Sequence, residues 1–307
     1  MSFSTEIKNE ISTINNSRSE YIAELSGYVR NNASFYEDRL VLNTENPNVA
    51  KRIITVFKEI YDIKVKIQAT KNIKFNRNTL YLLTVNTNLD LILKDLNIVD
   101  EKNKKLNQPH SYLVEDQEDK KAYIRGVFLA KGSINDPKTS RYHMELLIDY
   151  PEEAVFVQRL VNEFDLNAKI LTRDKGYMVY LKEAEKISDF IKLIQAYKAV
   201  MYYEDIRILR DQKNKTNRLN NCEQANTDKI IETAVKQIRD IEKIKEKMGM
   251  EILDERLQEI VKFRLKYPES SLQELSEIIS METNKKITKS GLNHRFRKLR
   301  EIASKLK

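Results

Sequence analysis

The sequence predicts an α+β protein in which a duplicated unit of helices and antiparallel strands is followed by an all-helical domain. Three observations carry this. "ELSGYVRNNASF" (24–35) and "YIRGVFLAKGSIND" (123–136) superpose at an offset of 99, aligning Leu25 with Ile124, Gly27 with Gly126, Val29 with Phe128 and Ser34 with Ser133. Each stretch heads the same succession of helix and strand patterns. The net charge of +8 is concentrated in 285–307, where Lys285, Lys286, Lys289, Arg295, Arg297, Lys298, Arg300, Lys305 and Lys307 face a single acid, Glu301.

In the first copy, "SFYEDRLVLNTEN" reads as two short strands around a polar turn, and "VAKRIITVFKEIYDI" (49–63) as an amphipathic helix. "KVKIQATKNIKFNRNTLYLLTV" gives two more strands and "NLDLILKDLNI" a last helix. The second copy repeats the order with "SINDPKTSRYHMELLIDY", "AVFVQRLVNEFDL" (154–166), "AKILTRDKGYMVYL" and "EAEKISDFIKLIQA". This is an αββαββα unit used twice, with copies at about 20–98 and 119–197 inside a domain spanning 1–204, and 100–110 as the polar connector. Two copies meet about a pseudo-two-fold axis, and the elements rich in small residues approach most closely. Ser26 and Gly27 on one helix and Gly126 and Ala130 on the other would therefore form the helix-pair contact. Gly132 in one copy, and Asn31 or Asn32 in the other, would close the helices in a left-handed conformation.

These paired helices resemble the LAGLIDADG motif of homing endonucleases, in which two such helices each end in an acid that holds a divalent metal. By that resemblance, the eighth motif position is Asn32 in the first copy and Lys131 in the second, and the sixth is Arg30 and Leu129. No carboxylate stands where the metal needs one, and Lys131 would repel it. The resemblance therefore implies a scaffold without catalytic residues, metal or cofactor.

Beyond Tyr203 the composition turns polar and basic. Residues 205–226 read as a basic linker, with Arg207, Arg210, Lys213, Lys215 and Arg218 as phosphate contacts or as a solvated surface. The helical domain, 227–307, begins with a helix capped by Thr227 or Asp228 and stopped at Gly249. "LDERLQEIVKFRLKYP" buries Leu253, Leu257, Ile260 and Val261 and ends at Pro268. "SLQELSEIIS" opens with Ser271 and Glu274 at capping-box spacing and buries Leu272, Leu275, Ile278 and Ile279. The last helix, capped by Ser290, turns Leu292, Phe296, Leu299, Ile302 and Leu306 inward. Its outer face holds Asn293, His294, Arg297, Lys298 and Arg300, with Arg295 at the edge and Lys289 at its start. Arginine forks onto guanine and asparagine onto adenine in the major groove, so a helix-turn-helix at about 271–304 that reads double-stranded DNA is the expectation. The interval 280–289 is longer than the turn of a simple helix-turn-helix.

The opening "MSFSTEIKNEI", together with "YIRGVFLAKGSINDP", "GYMVYLKEAEKISDF", "EDIRILRDQKNKTNRLNNCEQAN" and "KSGLNHRFRKL", resembles the WhiA family of bacterial DNA-binding proteins along nearly the whole chain. That resemblance implies a non-catalytic regulator of transcription, or a nucleoid-associated factor, tied to cell division, chromosome segregation and, in some relatives, sporulation. The absence of a bilayer-length apolar run and the polar start predict a cytoplasmic protein without a membrane partner. A single cysteine, Cys222, excludes an internal disulfide, and His110, His143 and His294 are too scattered to build a zinc site with it. Two other readings remain open: a scaffold whose repeat domain holds another protein, and a nuclease drawing on Glu24, Asp136 or Glu145 for metal.

Overall fold

The first helices of the chain are set by local chemistry. In the computed structural model, which describes residues 2–71, 79–139 and 141–306, α1 (Phe3–Ile11) turns Phe3, Ile7 and Ile11 into the core. α2 (Arg18–Asn32) starts from a reciprocal capping box between Ser17 and Glu20. The first repeat continues through β1 (Ser34–Phe35), β2 (Leu40–Thr44), α3 (Pro47–Tyr61), β3 (Lys66–Lys71), β4 (Thr79–Val85) and α4 (Leu89–Asp95). The part of the expected strand pair at 72–78 lies outside the described residues. After a 3-10 turn at Ser111–Val114, the second repeat runs through α5 (Gln117–Lys131), β5 (Gly132–Ile134), β6 (Met144–Ile148), α6 (Pro151–Asn162), β7 (Lys169–Arg173), β8 (Gly176–Leu181) and α7 (Ala184–Leu193). α3 and α6 both begin with proline at a first-turn position, where the missing N–H costs nothing.

Each repeat forms a four-stranded antiparallel sheet of the same order, β1-β2-β4-β3 and β5-β6-β8-β7. In register, Leu42 faces Leu83 and Leu146 faces Val179. Alternation along β6 buries Met144, Leu146 and Ile148 and leaves Glu145 and Leu147 half-buried, so one face of the sheet closes the core. Between the sheets lie α2 and α5, whose backbones touch at two glycines. A Cβ added to Gly27 would stand 2.4 Å from the Tyr123 carbonyl oxygen, and one added to Gly126 only 1.9 Å from that of Glu24. Any other residue would force the helices apart.

Several local expectations are corrected here. Gly132 has φ −80 and ψ 146, and α2 is closed by Ala33 in an extended conformation, so neither helix ends left-handed. Strand β5 starts at once after α5, and its pairing needs extended backbone at that point. The Ser26 hydroxyl donates to the Leu96 carbonyl at 2.7 Å, beyond the end of α4.

The chain divides into two units, Met1–Arg210 and Asp211–Lys307. Helix α8 (Tyr197–Met248) begins in the first and ends in the second, so the expected basic linker at 205–226 lies within a continuous helix. Thr227 is interior to it and back-bonds to the Glu223 carbonyl, capping nothing. The start of α8 is instead capped from a distance by Glu10, whose carboxylate accepts the Lys198 and Ala199 N–H groups at 2.7 and 3.1 Å. In the second unit, α9 (Glu255–Lys266), α10 (Leu272–Thr283) and α11 (Lys289–Lys305) pack with the end of α8 around Ile241, Ile244, Leu257, Ile260, Leu275, Ile279, Leu292, Phe296 and Leu299. Among the described residues, no helix is long and apolar enough to cross a membrane.

Candidate nucleic-acid interface

α11 owes its orientation to its buried stripe. Leu292, Phe296, Leu299 and Ala303 recur at helical spacing and are buried, while Ile302 and Leu306 are only partly covered. The N-cap is Thr288, whose hydroxyl accepts the Gly291 N–H at 3.2 Å; Ser290 sits exposed inside the first turn. α10 opens with the Ser271–Glu274 capping box and continues to Thr283, further than the sequence suggested. Asn284 then turns the chain with φ 55, leaving only 284–288 as the connection to α11. Ser280 fixes that turn by accepting the Ile287 N–H at 3.1 Å.

Lys289, Ser290, Asn293, His294, Arg297, Lys298 and Arg300 are all exposed, and Arg295 is half-buried at the edge. They are not equally available. Lys298 lies 3.4 Å from the Asp254 carboxylate and Arg300 3.6 Å from that of Asp240. Lys289, Asn293, His294 and Arg297 have no ion pair or side-chain hydrogen bond among the described residues, and successive members are three, four or fewer residues apart. A helix with one stripe in the core and Asn and Arg on the other presents the donors that read base edges.

Upstream, the basic residues separate into two groups. Arg207 is held by Glu204 and Glu185 at 2.8 and 3.1 Å. Arg210 donates to the Pro137 and Thr139 carbonyls at 2.6 Å and lies over the Tyr142 ring. Both are engaged by protein partners. Lys213, Lys215 and Arg218 stand exposed on α8 without an ion pair among the described residues.

The ends of α2 and α5 show what occupies the motif positions. The Asn32 side chain both donates to the Asn43 carbonyl and accepts the Asn43 N–H, at 2.9 and 2.8 Å, tying α2 to β2. Lys131 holds both Asp149 oxygens at 2.7 Å. Arg30 donates to the Leu106 and Asn97 carbonyls, and Leu129 is buried. Asn32, Ala130 and Lys131 line a cavity of about 1040 Å³ together with Lys8 and Asn9 of α1 and Asn46 at the start of α3. Ala130, half-buried, belongs to this cavity's wall as well as to the helix pair. Burial brings the Lys8 ammonium down to about 8, and it lies 5.7 Å from the Phe128 ring centre. Sequence reasoning missed Lys8 because a polar opening segment hid the Phe3, Ile7, Ile11 spacing that makes α1.

The three acids considered as alternative metal ligands are engaged elsewhere. Glu24, fully buried, accepts from Arg125 at 2.7 Å, Arg52 at 2.9 Å and Asn16 at 2.9 Å. Burial alone would raise its carboxyl, but Arg52 and Arg125 reverse that and hold it below the usual carboxylate range. Asp136 caps a turn at Lys138, and Glu145 lies against His143 and Arg173. Among the described residues, no group of three or more His, Cys, Asp or Glu is placed to hold a metal ion.

A LAGLIDADG-like repeat whose motif positions hold neutral and basic side chains, carried on one chain with a helix-turn-helix, is the class that this fold defines. Family comparison gives the particular family. Residues 18–99 match the WhiA N-terminal LAGLIDADG-like domain, 120–213 the WhiA LAGLIDADG-like domain and 216–303 the WhiA C-terminal HTH domain. A relative from Staphylococcus epidermidis named "Probable cell division protein WhiA" is 42% identical over 311 residues, covering 100% of this chain and 98% of its own. A Bacillus subtilis protein of the same name is also 42% identical over 311 residues, with the same coverage. The chain belongs to the WhiA family. The crystal structure of full-length DUF199/WhiA from Thermatoga maritima superposes with a TM-score of 0.61 at 24% identity, covering 100% of this chain and 99% of that one, a likeness of fold.

Proposed function

We propose that the chain binds double-stranded DNA through α11 without cutting it, and acts as a regulator of transcription or a nucleoid-associated factor in cell division and chromosome segregation. The observation that carries this reading is the unpaired stripe of Lys289, Asn293, His294 and Arg297, opposite the buried Leu292, Phe296 and Leu299. The cell-division part rests on the printed name of relatives 42% identical along the whole chain. Non-catalysis is supported by Asn32 and Lys131 at the motif positions and by Glu24 being spent between two arginines. Outside 285–307 the chain carries no net charge, so the repeat unit is better suited to holding a protein partner than to gripping DNA by itself. Genome-wide mapping of bound DNA in cells tests the reading. Discrete sites lost on Arg297→Ala support it, and a uniform or absent signal would sink it.

A further inference from the structure

From Asp211 through Glu232 every residue of α8 is exposed. None of its residues is buried among the described residues, and Asn214, Asn217, Asn220, Asn221 and Asn226 are poor helix formers. Its composition serves neither a core nor helix stability, so what it presents outward is the feature to explain.

Lys215, Arg218, Cys222, Asn226 and Lys229 are spaced three or four apart and form one stripe of the helix, with no acid among them. The last member, Lys229, lines a cavity of about 320 Å³ in the second unit, shared with Arg264, Ser271, Gln273 and Lys289. No carboxylate lines this cavity, while three cations do. Arg264 is only 1% exposed; one of its terminal nitrogens donates to the Ser270 carbonyl at 2.6 Å, and its Nε is buried without a partner. Burial lowers its pKa with no acid to offset the cost. Ser271 and Gln273 belong to the start of α10, where the capping box satisfies the Ser271 and Glu274 N–H groups and the N–H groups of Leu272 and Gln273 lack helical acceptors. Arg264, held by the Ser270 and Tyr267 carbonyls and the Phe296 ring but with no carboxylate beside it, thus meets two further lysines and a helix start at one hole.

We propose that this cavity seats a backbone phosphate of duplex DNA, and that the Lys215–Lys229 stripe follows the phosphates next to it. α8 is then a second DNA-contacting element beside α11. The inference rests on the DNA-binding reading above. Phosphate could also reach the cavity as a free anion, but the stripe extends over roughly 21 Å of helix, far more than one small ion needs. A polyanionic strand matches that length.

The test is a fluorescence-anisotropy titration of the full chain with a labelled random-sequence duplex at two salt concentrations, with thermal melts to confirm folding. Lys229 and Lys215 are exposed, so their variants should melt like wild type. Lys229→Ala should weaken binding to all sequences several-fold and flatten the salt slope by about one unit, Lys215→Ala/Arg218→Ala should flatten it by about two, and Lys229→Arg should keep both. If wild type binds and Arg297→Ala weakens it, while the α8 variants keep wild-type affinity and slope, the α8 proposal is wrong and the helix-turn-helix reading survives. If wild type does not bind, both fall. Titration with orthophosphate and AMP separates the sources. A thermal shift from either that Lys229→Ala abolishes, with the DNA salt slope unchanged, would assign the cavity to a free anion and overturn the proposal.

Discussion

The helix pair α2–α5 and the helix α11 both carry charged side chains, and they use them in opposite ways. Glu24 and Arg125 of the pair and Arg52 of α3 are buried, and both arginines donate to the Glu24 carboxylate, so their charges are committed to the fold. On α11, Asn293, His294 and Arg297 are exposed without protein partners among the described residues. The contrast separates charge that specifies a structure from charge left for another molecule, and the proposed DNA reading rests on the second kind.

The largest effect expected comes from breaking the buried side of that contrast. Glu24→Ala leaves Arg52 and Arg125 buried without their anion and should cost about 3–5 kcal/mol in a denaturant melt. The same carboxylate sets an acid limb. Its folded pKa is depressed, so its stabilisation is present above the unfolded value and is lost as pH falls through the lower folded one. A Glu24→Gln variant that still folds should lack that limb, and an unchanged pH profile would remove Glu24 from the explanation.

Next is the backbone contact. Gly126→Leu should destabilise by about 3 kcal/mol, because a Cβ there meets the Glu24 carbonyl. Wild-type thermal stability in that variant would mean the helices do not touch at Gly126.

On the exposed side, Arg297→Ala should cost roughly 1–3 kcal/mol of DNA affinity and relax sequence preference. Lys298→Ala should cost less, since Asp254 already competes for that ammonium. Equal losses in the two titrations would show that the surface pair does not matter.

The smallest effect concerns Lys8. Its folded pKa, brought down to about 8 by burial, lies below the unfolded value, so the unfolded chain binds more protons above pH 8 and stability should rise with pH from there. Lys8→Met should remove the rise, and a rise that persists in the variant would have another source.

Much of the fold was legible because its causes are local. The offset of 99 aligned Gly27 with Gly126, and each glycine marks a place where a side chain would strike the opposite backbone. The inward stripe of α11 followed from the spacing of Leu292, Phe296 and Leu299. Features set by distant contacts were not legible. Nothing in "EDIRILRDQKNKTNRLNN" announces a continuous helix, because Glu10, far away in sequence, caps its start. The protein partners of Arg207 and Arg210 were not legible either, because only the folded chain brings Glu185, Pro137 and Thr139 to them. The cap at Thr288 was misplaced by two residues because Ser290 has equally suitable chemistry.

One measurement separates recognition from cleavage most directly. Full-length protein, wild type and Asn293→Ala/Arg297→Ala, is incubated with labelled duplex carrying a mapped site, with magnesium, and followed by anisotropy and then by a denaturing gel. Wild type should bind with steep salt dependence, the double variant should bind at least about tenfold more weakly with an unchanged melting temperature, and the DNA should stay intact with both. Equal affinity of the two proteins, or magnesium-dependent cutting that a chelator stops, would contradict a helix-turn-helix reader built on a non-cleaving repeat.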